Sequence, residues 1–472
     1  MTDLYSDRLA PSFLFGYGLF KRDAKYAWTP DEETNPHLIL CGTSGAGKTF
    51  LLRQIITFLQ QANKHIHVID QHGDLEIFGE NAMQFGGNQR AYGINPFEFD
   101  VNENMGPGSQ IPVIKNMFRS TYMRSMGGMQ EPILERLVDD VYREKGLNKD
   151  DPSTWMIEDV REKTPSLLDM YNLVTEIIDY VNSGFGEFKD VLSTKGKELT
   201  KLAGVLDDPK KEKKHDEARE KIAILKEELL DLCERYIDHM YLDSPEPEHG
   251  IDGEELLSQR VDMKFYSQKA VLRTLTSIAV YIDSLMQHEA FNPNPPPVRP
   301  GLNRYNLQYM EDSIRPFFVE TLLGKIFRAV RARGEYRQLP DKHKINRGKG
   351  VDNYIIIDEF QVLLPRSTQD RENPNLIYNK IALEARKYGL GIIVVSQSPT
   401  VFPQKMFTAV NKKVVLKVEA NDIPAAKRYL GVEAAMFKHL NRPYTAIISN
   451  GRGAFDPVDI ERKEPERLSE SA

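Results

Sequence analysis

Cysteine is almost missing from this chain: among 472 residues there are two, Cys41 and Cys233. They supply neither a disulfide framework nor the paired spacing of a zinc site, which fits a reducing compartment such as the cytoplasm. No run of about 18 apolar residues occurs, so no transmembrane helix is expected. The opening residues, MTDLYSDRLAPSF, lack a basic stretch followed by an apolar core, and no signal peptide is expected. An excess of positive charge is also missing. With 62 Lys and Arg against 69 Asp and Glu, the formal net charge is −7. Proteins that coat nucleic acid are usually basic overall, so a broad nucleic-acid surface is disfavoured. A local basic channel stays open, because the field that matters is local. No internal repeat is visible. The remaining composition, 40% hydrophobic and 28% charged, is that of a soluble globular chain long enough for roughly two or three domains.

What the chain does contain is a complete phosphate-binding loop. Residues Gly42, Thr43, Ser44, Gly45, Ala46, Gly47, Lys48 and Thr49 read G-x-x-x-x-G-K-[ST], followed by Phe50. The flanks fit the motif. His37–Cys41 is a short apolar run that reads as a buried parallel strand, with Cys41 a small buried hydrophobe. Lys48–Gln61 places Leu51, Ile55 and Leu59 on one helical face with Leu52 and Ile56 beside them. Glycines let backbone N–H groups approach phosphates, and the helix N-terminus adds a favourable dipole. In this motif Lys48 reaches the β- and γ-phosphates and the Thr49 hydroxyl holds Mg²⁺. The sequence therefore predicts a nucleoside triphosphate site.

Strand and helix signals alternate on both sides of a long helical stretch. Residues 1–34 read as a lead-in with one candidate strand near Phe13–Phe20. Residues 35–107 read as β-α-β, with a second strand at His65–Asp70 and a strand or loop at Tyr92–Phe97. From 108 to 300 helical patterns dominate, as in Pro132–Arg143, Ser166–Asn182 and Glu217–Tyr241. The charged stretch from Asp207 mixes Lys with Glu and Asp, which suits an exposed helical hairpin better than a nucleic-acid patch. The proline-rich Asn292–Pro300 closes this insertion as a stiff connector. Strands are again expected at Asn303–Gln308, Tyr354–Ile357, Gly391–Ser396, Lys412–Val418 and Tyr444–Asn450. Helices are expected at Ile314–Arg333 and Asn375–Tyr388. The segment 301–451 completes the α/β region begun at 35–107, and 452–472 reads as a polar tail. Such alternation implies an α/β fold with a mostly parallel sheet covered on both faces.

Four further constellations accompany the loop. Tyr354–Glu359 is an apolar strand ending in two acids, Asp358 and Glu359, at the sheet edge where ligands of α/β folds bind. Asp358 suits a magnesium ligand through water, and Glu359 suits the group that orients or deprotonates the attacking water. The sequence DQHGD follows the second strand; Asp70 or Asp74 could assist the metal, and His72 reads as structural. Ser396 and Gln397 end the later strand, where a polar side chain can sense the γ-phosphate. Arg386 precedes that strand; a helix-end cation and a charge-stabilising arginine supplied to a neighbouring subunit are both compatible with its place. Arg366 and Arg371, after the acidic pair, are candidates for contact with a polymer in a ring's pore.

Taken in order, GTSGAGKT, DQHGD, IIIDEF, EARKYG and VVSQSP resemble the HerA–FtsK superfamily of DNA-pumping ATPases, nearest to the HerA branch and the related ATPases of conjugation and type IV secretion. The resemblance covers about 35–100 and 303–450. It implies a RecA-like core, a hexameric ring, ATP and Mg²⁺ as cofactors, and hydrolysis between subunits. It assigns Lys48 and Thr49 to phosphates and metal, and Asp358 and Glu359 to metal and water. Asp70 or Asp74 becomes an additional acid, Gln397 a sensor and Arg386 the arginine acting in trans. The sequence departs from HerA in having only about 35 residues before the first strand, where HerA proteins carry a β-barrel, and in reading DQHGD for DPHGE. The large helical insertion is closer to the conjugation ATPases. Three functions follow as expectations: a double-stranded DNA translocase, helicase-like, with a partner nuclease or other effector in repair or anti-phage defence; a conjugation or secretion ATPase; and an ATP-gated scaffold for an effector.

Overall fold

The computed structural model describes residues 10–33, 35–88, 91–101, 105–121, 130–181, 187–207, 213–242, 257–288, 290–336, 351–365, 371–374, 376–442, 444–449 and 454–461. Eleven strands form one sheet: β1 (Phe13–Gly18), β2 (Lys25–Trp28), β3 (Leu38–Cys41), β4 (His65–Asp70), β5 (Asn81–Gly86), β6 (Leu302–Tyr309), β7 (Asn353–Ile357), β8 (Leu390–Ser396), β9 (Lys412–Val415), β10 (Thr445–Ser449) and β11 (Phe455–Ile460). Their order is β2-β1-β11-β10-β9-β3-β8-β7-β4-β6-β5. From β9 to β5 all neighbours run parallel, and the β2-to-β9 side is antiparallel. The fold is α/β and mostly parallel, as the alternation of elements predicts.

The central strands are buried at every position: LILC in β3, NYIII in β7 and LGIIVVS in β8. Continuous β-branched runs of this kind suit strands covered on both faces. Gly391 serves packing rather than turning. It lies opposite Tyr354 in the β7–β8 register, and a Cβ there would sit 2.4 Å from the Tyr354 ring. The ring, freed to lie across the neighbouring strand, meets Trp28 edge-on at 5.9 Å. Helix α1 (Lys48–Gln61) buries Leu51, Leu52, Ile55, Ile56 and Leu59, the stripe its periodicity marks out, into the cluster that contains Leu38, Leu40, Ile393 and Val395.

By contacts the chain divides into two units. The first comprises the described residues of 1–100, 112–125 and 285–472 and contains the whole sheet. The second, 101–111 and 126–284, is helical. In it Gln130–Glu144 buries Ile133, Leu134, Leu137, Val138 and Val141. Leu167–Tyr180 begins with a capping box in which Ser166 and Asp169 satisfy each other's backbone N–H. A helical hairpin is present: Glu187–Leu206 packs on His215–Leu242. No helix among the described residues is long and apolar enough to cross a membrane.

Three details differ from the sequence reading. The expected tail contributes β11, which lies inside the sheet between β10 and β1. Its six residues, FDPVDI, carry two Asp and a Pro, so no apolar run announces it; pairing on both sides holds it. The lead-in supplies two strands, β1 and β2, rather than one. A strand that the sequence reading did not name, β5, is present at Asn81–Gly86, whereas Tyr92–Phe97 is a loop, one of the two alternatives left open there.

Candidate functional site

The loop after β3 is held by backbone rather than side chains. The Gly42 N–H donates to the Ser396 carbonyl on β8 at 3.1 Å, and the Thr43 N–H to the Lys417 carbonyl after β9 at 2.8 Å. The chain thus leaves the sheet tied to both neighbours. A Cβ at Gly42 would lie 2.8 Å from Leu416 Cβ, so glycine is needed for this close approach. Gly47 caps α1 with φ 93°, a left-handed conformation that glycine adopts without strain. Lys48 is buried and its Nζ donates to the Thr43 carbonyl at 3.1 Å. Ser44, Gly45, Gly47, Thr49 and Phe50 face a cleft; Gly42 and Thr43 lie beneath it, buried, and Ala46 is half-buried.

Strand order sets what stands across the cleft. Only β8 separates β3 from β7, so the loop and the acids ending β7 are two strand spacings apart, about 10 Å. The cleft, of about 480 Å³, is lined by the loop, His72, Asp74, Asp358, Glu359 and Gln397. Lys48, Thr49, Asp358, Glu359 and Gln397 therefore meet around one space. Burial pushes the Asp358 carboxyl up to about 6, reinforced by the charges of Glu359, Asp74 and Asp70; the N–H that Glu359 donates to its Oδ1 at 2.9 Å acts the other way. The concentration of negative charge is one a bound cation would relieve.

Glu359 sits at φ 48°, ψ 46°, a left-handed conformation that costs a non-glycine residue about 1–2 kcal/mol. Its carboxylate is gripped from two directions. Oε2 accepts from Gln397 Nε2 at 3.0 Å and from Gln361 Nε2. Gln361 Oε1 in turn accepts from Ser396 Oγ at 2.7 Å. A chain of polar groups thus joins the ends of β7 and β8 and fixes one oxygen of Glu359. Gln361 was missed in the sequence. The available signal was its position two residues after Glu359, opposite the Ser-Gln that ends β8.

Two expected site residues lie elsewhere. Asp70, a candidate metal ligand, is fully buried and its oxygens are taken: it accepts the N–H groups of His72, Gly73 and Leu75 and the Arg304 guanidinium at 2.9 Å. Arg304 also pairs with Glu80. Asp70 braces the DQHGD turn, and Asp74 is the acid of that motif that lines the cleft. Arg386 is exposed and sits in the turn Ala385–Tyr388, just before β8 begins. The cleft is at the other end of this seven-residue strand, roughly 20 Å away. Arg386 is not beside its own chain's cleft. Arg371 directs its Nε to the Pro365 carbonyl at 2.6 Å, and Arg366 lies outside the described residues.

Sheet, loop and facing acids together are those of an α/β phosphate-loop fold. Comparison with known proteins agrees at that level. No family model matches the chain, and no curated protein matches it in sequence. Among solved structures, VirB4 of Thermoanaerobacter pseudethanolicus is similar over 96% of this chain and 96% of its own, with a TM-score of 0.58 and 14% identity. The plasmid coupling protein TrwB, solved with the non-hydrolysable ATP analogue ADPNP, is similar over 91% of this chain and 86% of its own, with a TM-score of 0.50 and 14% identity. The shared fold is the one that the resemblance to HerA–FtsK ATPases implies.

Two expectations follow from this geometry. Asp70→Asn should destabilise the protein by about 3 kcal/mol, because it breaks a buried ion pair, while ATP turnover per folded molecule stays close to normal; denaturant melts with parallel ATPase assays check both. Gln361→Leu should lower kcat by roughly 10- to 100-fold with little change in KM for ATP, because it loosens Glu359 without touching the phosphate loop. A rise in KM at unchanged kcat would mean that Gln361 does not position Glu359.

Proposed function

We propose that the protein is an ATP-hydrolysing motor of the HerA–FtsK type that works as a homo-oligomeric, hexameric ring. The observation that carries this reading is the convergence of Lys48 and Thr49 with Asp358, Glu359 and Gln397 around one cleft. The loop N–H groups and Lys48 bind the phosphates of ATP. Thr49 and Asp358 would hold Mg²⁺, an assignment that fits their all-oxygen donor chemistry and the raised pKa of Asp358. The metal supplies neutralisation of phosphate charge. Glu359, with one carboxylate oxygen fixed by the two glutamines, uses the other to orient water in line with the γ-phosphate. Gln397 touches both the cleft and Glu359, the place from which a side chain senses that phosphate. Because Arg386 is remote from its own cleft, any role in catalysis is in the cleft of an adjacent copy.

For the substrate, the first reading is double-stranded DNA, moved for a partner nuclease or other effector. A second reading, a conjugation or secretion ATPase, is favoured by the extent of likeness to VirB4, which runs through 96% of both chains, and by TrwB being a conjugative coupling protein. ATPase assays with and without duplex DNA separate them. Stimulation that rising salt abolishes supports DNA translocation, since phosphate contacts release counterions. Indifference to DNA at low salt turns the assignment to the second reading.

The ring and the arginine are tested together. Lys48→Ala and Arg386→Ala proteins should each hydrolyse ATP poorly, and mixing them should restore part of the activity. Only a mixed ring contains interfaces with both residues intact. Normal turnover by Arg386→Ala alone would leave Arg386 as a cation at the end of a helical turn.

A further inference from the structure

The sheet edge remote from the nucleotide cleft has a concavity of its own. Its volume is about 720 Å³, and it lies where β4, β6 and β7 begin, at His65, Leu302 and Asn353. The six residues of β4 separate this edge from the other, a span of roughly 20 Å. Among the described residues no carboxylate lines it. Three of its residues carry positive charge. Lys64 is already matched, its Nζ held by both oxygens of Asp31 at 2.6 and 2.9 Å. Arg299 and Arg333 are exposed, and neither forms an ion pair among the described residues.

The neutral groups add donors. Arg333 donates to Asn353 Oδ1 at 3.3 Å, and Asn353 Nδ2 makes no hydrogen bond among the described residues. The Gly301 N–H donates to His65 Nδ1 at 3.1 Å. Burial, with the charge of Arg333, lowers the pKa of His65, against a hydrogen bond with the Gly301 backbone that raises it; with Nδ1 accepting from Gly301, the neutral ring carries its proton on Nε2. That N–H finds no hydrogen-bond acceptor among the described residues. The lining thus offers two guanidinium groups, an amide N–H₂ and an imidazole N–H, with no anion of its own. Convergent donors without a carboxylate are the chemistry of an oxyanion site, and the planar fork of arginine suits phosphate.

We propose that this concavity is a second phosphate-binding site, separate from the triphosphate cleft, with Arg333 as its main ligand and Arg299, Asn353 and His65 completing it. Its volume exceeds that of a lone phosphate and matches a nucleotide-sized group. The phosphate comes either from a small phosphorylated molecule or from the backbone of a nucleic acid lying across this edge.

Pyrophosphate titrated calorimetrically into the Lys48→Ala protein tests the site with the principal phosphate ligand of the first cleft removed. One binding event per chain should persist. Adding Arg333→Gln should weaken it about tenfold or more, the loss of one charge-assisted pair, and Arg299→Gln should weaken it less. Neither change should move the melting temperature of the ligand-free protein, as both side chains are exposed. A short DNA duplex that displaces pyrophosphate assigns the source to nucleic acid; failure to displace it assigns the source to a small phosphorylated molecule. The proposal is overturned if pyrophosphate does not bind the Lys48→Ala protein, or if it binds both arginine variants unchanged. Either outcome leaves the reading of the first cleft intact, since that rests on ATP turnover.

Discussion

Two backbone hydrogen bonds at the end of β3 set the geometry on which the site depends: Gly42 N–H to the Ser396 carbonyl and Thr43 N–H to the Lys417 carbonyl. They bind the phosphate loop to β8 on one side and to the segment after β9 on the other. With β8 fixed beside it, the loop faces the end of β7 across a gap of one strand, and Gln397 stands in that gap. A side chain at position 42 would push against Leu416 and part this joint. The loop and the acids facing it therefore share one frame, and the cleft is assembled by parallel pairing.

Charge is distributed across the sheet in a matching way. Around the cleft at the C-terminal ends of β3, β7 and β8, acids gather beside Lys48, the one lysine lining it among the described residues, and burial, reinforced by the neighbouring acids, holds Asp358 near 6. At the N-terminal ends of β4, β6 and β7, the exposed arginines face a concavity that no acid lines among the described residues. The net charge of −7 averages over these two regions and describes neither. Local sign, rather than total charge, is what decides which anions each edge accepts.

The parts legible in the sequence were those written in contiguous residues. GTSGAGKT and IIIDE could be read because their chemistry and flanking periodicity lie within a few positions, and the buried runs of β3, β7 and β8 gave the sheet. What could not be read depends on contacts across the chain. Asp70 resembled a metal acid until its partner Arg304, 234 positions away, accounted for its charge. Gln361 acquired a role only when Ser396 and Glu359 closed around it. Arg386 stands near VVSQ in sequence and at the far end of the same strand in space. β11 was hidden by the two aspartates and the proline within its six residues, since its stability comes from β10 and β1.

The central claim is that Glu359, fixed by Gln361 and Gln397, drives hydrolysis of a nucleotide held by the loop of the same chain. The most direct measurement is a rapid-quench assay of Glu359→Gln with radiolabelled ATP and Mg²⁺, beside an equilibrium binding titration. The account predicts ATP binding close to that of the unaltered protein and hydrolysis slowed by about 100-fold or more. Hydrolysis at the unaltered rate with binding preserved would contradict it.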